Sequence, residues 1–233
     1  MARIRTTRSS EASAAQAEAQ SHVRTMPRDK DATRQRILDA AEMVFADKGY
    51  HGAVVDDIIN VAQTSKGGFY FHFSNKQVIF LALVDALSPR LAIAVERAIA
   101  DEPDAIAKVD AALRIVLDLF ARHRRLSKIL LVEAVGLGHG FDEKLMLVRG
   151  QFIALIQRYL DEAVAAGSIP PLDTDIAACA WFGAINEVVV RWLVSGQPAS
   201  LEATLPGLRL LLLRSVGITA LPGTAPTHHT EER

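Results

Sequence analysis

The stretch TSKGGFYFHFSNK, residues 64–76, contains a dense aromatic cluster. Four aromatic residues lie between Phe69 and Phe73, interrupted only by His72, although the whole sequence has nine phenylalanines and three tyrosines. Three interpretations are open for this cluster: a core strand, a cage for a ligand, or a surface that meets a large polyanion. The periodicity of the flanking sequence distinguishes among them.

Helical periodicity dominates the chain before this stretch. From about Asp31 or Thr33 to Asp47, apolar residues recur at i, i+3, i+4, i+7 and i+8, which predicts a helix that stops at Gly49. Ser65 is placed to cap a third, short helix. No alternating segment offers a partner strand, so the core-strand interpretation fails. A second, short helix is predicted between these two helices, and its apolar stripe consists of Val55, Ile58, Ile59 and Ala62.

The chain after this stretch is also helical in pattern. A long helix is predicted from Asn75 to about Ala100, and Pro89 should bend or break it because proline removes a backbone hydrogen bond. These patterns predict an all-α protein of about nine helices. The further amphipathic segments are residues 105–124, 126–135, 141–166, 173–195 and 201–214.

Composition sets the domain limits and excludes several classes of protein. Residues 1–28 are predicted to be a disordered arm, because they are nearly free of large apolar residues. Residues 217–233, rich in Pro, Thr and His, are predicted to be a disordered tail. Between them we expect one domain over residues 29–76 and a second over residues 77–216.

Charge and cysteine content indicate a soluble cytoplasmic protein. The formal net charge is -1, so a general attraction to nucleic acid is absent and any basic surface must be local. A single cysteine, Cys179, excludes an internal disulfide framework and suits a reducing compartment. No run of about 18 uncharged apolar residues occurs, so no membrane partner is expected.

The third helix has two different faces. Phe69 and Phe73 lie four residues apart and should pack on the preceding helices, while Lys66 and Tyr70 project elsewhere. The glycines at 67–68 lie in the first turn, where missing side chains permit close approach and backbone N–H groups favour anions. Two short helices joined by a tight turn and braced by a third form a helix-turn-helix, whose second helix enters the DNA major groove.

The segment RQRILDAAEMVFADKGYHGAVVDDIINVAQTSKGGFYFHFSNKQVIF, residues 34–80, resembles the DNA-binding domain of the TetR family of bacterial transcriptional repressors. The resemblance implies an N-terminal helix-turn-helix domain that binds double-stranded operator DNA, followed by a helical domain for effector binding and dimerisation. Phe69 and Phe73 match core positions. The implied DNA-binding residues are Thr33, Arg34, Thr64, Ser65, Lys66, Gly67, Gly68, Tyr70, His72 and Lys76.

Three residues depart from the pattern of this family. Gly68 stands where threonine is usual, which removes one polar contact to DNA. Gln63 stands where a turn glycine is usual, and a positive φ at a non-glycine residue costs about 1 kcal/mol. Val54 replaces the usual serine or threonine cap of the second helix, so we expect a poorly capped start.

Two apolar stripes mark the C-terminal region, each with the spacing i, i+4, i+7, i+11. The resemblance implies that the last two long helices, residues 173–195 and 201–214, form a four-helix bundle in a homodimer, which suits a two-fold operator. The implied interface residues are Trp181, Ile185, Val188, Trp192, Leu201, Leu205, Leu208 and Leu212.

The sequences WFGAINEVVVRWLVSG (181–196) and LEATLPGLRLLLL (201–213) resemble the C-terminal region of the acyl-CoA-responsive fatty-acid-degradation repressors of this family. This resemblance implies release from DNA by a small apolar effector, long-chain acyl-CoA. The candidate tunnel residues are Leu117, Phe120, Leu130, Leu131, Phe152 and Ile156, and the candidate phosphate contacts are Arg122, Arg124 and Arg125.

Two alternatives remain beside a repressor that responds to acyl-CoA. One is a repressor of the same fold that responds to drugs or other lipophiles, and the other is a helical protein-interaction module without DNA binding. An enzyme is not expected, because the seven histidines are scattered and no metal-ligand or glycine-rich phosphate motif occurs. No metal and no cofactor is predicted.

Overall fold

A computed structural model describes the backbone of residues 7–134 and 137–219, and side chains from residue 30 onward. The described chain contains nine α-helices, one π-helical turn, one 3-10 turn and no strand, which confirms the predicted all-α fold. The helices are α1 (Thr7–Gly52), α2 (Val55–Val61), α3 (Lys66–His72), α4 (Lys76–Ile99), α5 (Ala105–Arg122), α6 (Arg124–Lys128), α7 (His139–Ala165), α8 (Thr174–Ser195) and α9 (Leu205–Ser215). The π turn is Ile129–Glu133 and the 3-10 turn is Leu201–Thr204.

Internal contacts divide the chain into an N-terminal unit, Met1–Leu83, and a C-terminal unit, Val84–Arg233. The division falls inside α4, later than the boundary expected at residues 76 and 77. The first turns of α4 belong to the N-terminal unit because Ile79, Phe80 and Leu83 are buried in its core. The sequence pattern did not indicate this, since one continuous helix carries apolar residues for both units.

Helix α1 begins at Thr7, well before the start predicted at Asp31 or Thr33. Residues 7–28 of the predicted disordered arm are therefore helical, which agrees with the strong helix propensity of Ala, Glu, Gln and Arg. Gly49 interrupts the helix with a φ of 74°, close to the predicted stop, and a last turn continues to Gly52. Residues 1–6 of the arm and residues 220–233 of the tail lie outside the described residues.

An aromatic cluster forms the core of the N-terminal unit. Phe45 of α1 stacks with Tyr50 at 5.8 Å between ring centroids and meets Phe80 of α4 edge-on at 5.3 Å. Phe69 and Phe73 are almost fully buried, as the four-residue spacing predicted. Aromatic pairs of this kind contribute about 0.5–1.5 kcal/mol each beyond the area that they bury.

The start of α2 is stabilised without a capping side chain at Val54. The Val54 backbone N–H donates to the carboxylate of Asp57 at 3.3 Å, which is one half of a capping box. Lys48 also forms an ion pair with Asp57 at 2.7 Å. The hydrogen bond from Lys48 holds the pKa of the Asp57 carboxyl below its ordinary value, and the hydrogen bond from the Val54 N–H adds a smaller effect in the same direction. Asp57, three residues later, thus compensates for the missing side-chain cap at Val54.

The C-terminal unit packs α5, α7, α8 and α9 around a second apolar core. Asp104 caps α5 and Asp173 caps α8, each accepting a hydrogen bond from a backbone N–H of the first turn. Pro89 lies inside α4, which continues to Ile99, so of the two predicted outcomes, a bend or a break, the break does not occur. The core includes Leu113, Leu117, Leu160, Trp181, Trp192 and Leu212.

Helices α4 and α8 have the length and apolar composition of a membrane span. One or two such helices are weak evidence for a membrane location, because the core helices of soluble proteins meet the same criteria. Here Trp181, Val189 and Trp192 of α8 are buried in the core of the C-terminal unit.

The turn between α2 and α3 generates a prediction for stability. Gln63 is exposed and has a φ of 49°, so the turn keeps the left-handed conformation without the usual glycine. Gln63→Gly should raise the free energy of unfolding by about 0.5–1 kcal/mol, because glycine adopts this conformation without a Cβ clash. Urea unfolding followed by circular dichroism measures the change. Gln63→Ala is the control, since it keeps the Cβ and should gain little.

Candidate nucleic-acid interface and apolar cavity

The outer face of α3 is the first candidate site. Ser65 caps the helix, because its hydroxyl accepts a hydrogen bond from the Gly68 N–H at 3.0 Å. With Phe69 turned into the core, Tyr70 and Phe71 remain 53% and 67% exposed. His72, the last residue of the helix, is half-buried. The helix therefore presents an aromatic and basic outer face that no described segment covers.

The two glycines of α3 differ in their surroundings. A Cβ on Gly67 would come no closer than 3.9 Å to a neighbour, the Ser65 hydroxyl, so this position is open. A Cβ on Gly68 would lie 2.6 Å from Oγ1 of Thr64. The Thr64 side chain thus occupies the space of a residue at position 68, which accounts for glycine where the family usually has threonine.

The predicted cations of this unit already have partners within it. Lys66 forms an ion pair with Asp56 at 3.1 Å, and both side chains are more than 60% exposed. Arg34 lies over the Phe73 ring at 5.2 Å. The hydroxyl of Thr33 accepts a hydrogen bond from Arg36 at 3.5 Å. Exposed pairs of this kind are worth only about 0–1 kcal/mol, so Lys66 can exchange Asp56 for a phosphate at little cost.

Lys76 is placed differently from the expected phosphate contact. Its ammonium donates to the carbonyl oxygens of Tyr50 at 2.8 Å and Ala53 at 3.0 Å, and it lies 4.6 Å from the centre of the Tyr50 ring. The side chain thereby satisfies carbonyl groups at the end of α1, which have no helical partner. In this structure Lys76 joins α4 to α1 rather than facing outward.

Sequence reasoning missed two residues at this face. Phe71 is exposed near the end of α3, and the ammonium of Lys30 lies 5.4 Å from the centre of its ring. A cation over an aromatic ring is attracted by its quadrupole. The aromatic count of the stretch could have indicated Phe71, because a short helix buries only one side and five adjacent residues cannot all face inward.

An apolar cavity of about 600 Å³ in the C-terminal unit is the second candidate site. Its walls come from α4, α5, the π turn, α7, α8 and α9. Five of the six predicted tunnel residues line it, whereas Leu117 is buried in the adjacent core. The five are Phe120, Leu130, Leu131, Phe152 and Ile156.

The predicted phosphate contacts do not line this cavity. Arg122 pairs with Asp118 at 2.8 Å, one turn earlier on α5. Arg124 lies 4.5 Å from the centre of the Trp192 ring and donates to the Trp192 carbonyl oxygen at 3.5 Å. Arg125 is exposed and is also absent from the lining. The basic residues that do line the cavity are Lys108 and Arg149.

The predicted interface stripes point into the protomer's own core. Ile185 and Val188 are half-buried against that core, and the other six side chains are buried. Trp181 additionally donates its indole N–H to the Ser215 hydroxyl at 2.9 Å. Their periodicity therefore reflects packing inside one chain. The six buried residues are Trp181, Trp192, Leu201, Leu205, Leu208 and Leu212.

A different stripe runs along the outward side of α8. Its end residues Ile176 and Val194 are 63% and 64% exposed, and Gly183 at its middle has no neighbour within 4 Å of an added Cβ. Leu211 on α9 is 58% exposed. We call the α8 residues the outer α8 stripe; they are Ile176, Ala180, Gly183, Glu187, Val190 and Val194.

Comparison with known proteins identifies the family. Residues 37–83 match bacterial regulatory proteins of the tetR family, and residues 102–200 match the tetracyclin repressor-like C-terminal domain. The HTH-type transcriptional regulator TtgR of Pseudomonas putida is 31% identical over 188 residues, covering 74% of this chain and 85% of its own length. A fatty acid metabolism regulator protein of Bacillus subtilis is 25% identical over 182 residues, covering 78% and 94%.

Solved structures give the same assignment. A crystal structure of the transcriptional regulator FadR from Bacillus subtilis in complex with stearoyl-CoA superposes with a TM-score of 0.69 at 25% identity, covering 80% of this chain and 99% of that chain. The fatty acid degradation regulator FadR from Bacillus halodurans superposes with a TM-score of 0.70 at 25% identity, covering 78% and 94%. These relatives are regulators rather than enzymes. With a helix-turn-helix unit, an apolar cavity and these similarities, the chain belongs to the tetR family of bacterial regulatory proteins.

Proposed function

We propose that this protein is a cytoplasmic repressor that binds a palindromic operator as a homodimer and is released by a small apolar effector, long-chain acyl-CoA. The observation that carries the proposal is the cavity of about 600 Å³, whose lining is mostly aliphatic and aromatic. A long apolar chain suits such walls better than a sugar or a nucleotide, which needs convergent polar groups. The relatives named for fatty acid regulation and the neighbour bound to stearoyl-CoA support the same ligand class.

In this proposal α3 is the recognition helix. Its N-terminal residues, from Ser65 to Gly68, enter the major groove, and Tyr70 and Lys66 contact the backbone. Thr33, Arg34 and His72 lie at the edge of the contact surface. The net charge of -1 makes this local placement of cations necessary, since no general basic field would hold the DNA.

Helix α4 provides a route from effector to DNA. Its first turns are buried in the core of the N-terminal unit, and Leu91, Val95 and Ile99 line the cavity of the C-terminal unit. Two ion pairs hold α4 to α7: Asp85 with Lys144 at 2.7 Å and Glu96 with Arg158 at 2.6 Å. An effector that binds preferentially when α4 is displaced would shift the two α3 helices from the spacing of about 34–36 Å between half-sites.

A second candidate effector is a lipophile without a CoA group, because the same apolar walls would accept it. A protein-interaction module without DNA binding is the alternative from another class. Binding to operator DNA separates that alternative from a repressor, and ligand specificity separates the two kinds of effector.

Gly67→Leu should abolish operator binding. The position is open, so the side chain fits the fold but blocks the approach of α3 to the groove. We expect a loss of about 100-fold, equivalent to about 2.8 kcal/mol, by fluorescence anisotropy, with unchanged helix content by circular dichroism. Gly150→Leu, at an equally open glycine of α7, is the matched control and should bind normally. Normal binding by the Gly67 variant would rule out this docking geometry.

We place the dimer interface on the outer α8 stripe, so the double variant Ala180→Asp, Gly183→Asp should dissociate the dimer. Both positions are exposed in the protomer, so the charges cost little there, but in a bundle seam each would cost several kcal/mol. Sedimentation velocity should show a folded monomer. The matched control is Gly150→Asp, Ala154→Asp, which changes the same residue types on the exposed side of α7. A stable dimer from the α8 variant would place the interface elsewhere.

Ala112→Phe should make the repressor insensitive to its effector. Ala112 lines the cavity, so a larger side chain would occupy the space of the ligand without touching α3. Palmitoyl-CoA should release the unchanged protein from operator DNA, whereas the variant should need at least about tenfold more. Ala121→Phe, at an exposed position of the same helix, is the control. If neither medium- nor long-chain acyl-CoA releases the unchanged protein, the acyl-CoA assignment fails and a different lipophile takes its place.

A further inference from the structure

The charges that line the cavity are few and unevenly placed. Four of its described lining residues have acidic or basic side chains: Asp104, Lys108, Arg149 and Glu162. Lys108 follows Asp104 by four residues, and the Asp104 carboxylate caps α5 by accepting from the Ala107 N–H at 2.8 Å. Lys108 therefore follows an acidic residue by one helical turn.

Arg149 has no such neighbour. On α7 the nearest cavity acid is Glu162, thirteen residues later, which corresponds to about 20 Å along the helix axis. This separation is more than twice the Debye length of about 8 Å at physiological ionic strength, so the two charges scarcely interact through solvent. One end of the α7 wall is positive and the other is negative.

The guanidinium of Arg149 lies against an aromatic ring rather than an acid. It is 5.6 Å from the centre of the Phe182 ring, and among the described residues it forms no ion pair. Arg158 on the same helix is different, because it pairs with Glu96 at 2.6 Å and this hydrogen bond raises the pKa of its guanidinium. Asn186 lies one turn after Phe182 on α8 and also lines the cavity, where its amide adds two N–H donors.

We infer that Arg149, assisted by Asn186, binds the anionic headgroup of the effector while the apolar chain extends along α7 towards Glu162. The group bound is a carboxylate or a phosphate, since the planar guanidinium matches both through paired N–H donors. Glu162 opposes an anion at the far end, so the ligand has a preferred direction. This inference deepens the proposed function and rests on it: it names the charge that the effector carries and the residue that selects it.

Three ligands with the same sixteen-carbon chain test the inference: palmitate, palmitoyl-CoA and the neutral hexadecanol. Trp181 lines the cavity, so its fluorescence in the full-length protein reports binding. The unchanged protein should bind at least one of the two anions about tenfold more tightly than hexadecanol, a difference of about 1.4 kcal/mol. Arg149→Met should remove that preference and leave hexadecanol binding unchanged.

Two further variants serve as controls for the effect of Arg149→Met. Arg149→Lys keeps the positive charge and should retain part of the preference, even if removal of the guanidinium disturbs Phe182. Arg122→Met, which removes an arginine outside the cavity that is paired with Asp118, should change no affinity. Loss of palmitate binding in Arg149→Met identifies a carboxylate as the bound group, and loss of palmitoyl-CoA binding alone identifies the CoA phosphates.

The possible failures are distinguishable. If the unchanged protein binds all three ligands equally, or if Arg149→Met keeps the preference for anions, the headgroup assignment is wrong and the proposed function stands. If the unchanged protein binds none of the three, the proposed lipophilic effector is itself wrong, and the inference falls with it.

Discussion

Burial of Phe69 and Phe73 on one side of α3 is the constraint on which the N-terminal unit depends. Successive helical residues are rotated by about 100°, so burial of Phe69 turns the next residue, Tyr70, outward, where it is 53% exposed. The N-terminal unit also buries Phe45 of α1 and Phe80 of α4, whose rings meet edge-on. Both α3 and the start of α4 are therefore anchored by buried aromatic side chains.

Much of the fold was predictable because amphipathic periodicity reports burial. It located α2, α5 and α8 within a few residues, since each of them covers a core with one face. Residues 7–28 have no apolar face, so their helical state left no periodic signal, only a favourable propensity. Pro89 does not break α4, because packing of the helix on both sides of the proline outweighs one missing hydrogen bond.

The candidate sites were less predictable. Periodicity shows that one face of a helix is buried, but it does not show whether that face is covered by the same chain, by a second copy or by a ligand. The stripe containing Trp181 and Trp192 is covered by its own chain, whereas the outer α8 stripe is interrupted by Gly183 and Glu187 and therefore gives a weaker periodic signal. The sequence likewise shows where a charged residue lies along a helix, but not which residue of another helix it contacts. The pairing of Arg122 could be predicted from Asp118 four residues earlier, but the placement of Arg149 over Phe182 depends on a contact between two different helices, α7 and α8.

The π turn between α6 and α7 has an evolutionary consequence. A π turn closes its hydrogen bond over one residue more than an α turn, and here it places Leu130 and Leu131 on the cavity wall. Deleting one residue from the turn would remove the extra residue and rotate the side chains that follow it within the turn by about 100°. A single-codon change in this short segment would thus replace part of the wall at once, without altering α3. A change of chain length in this segment is therefore a shorter route to a new ligand preference than stepwise substitution.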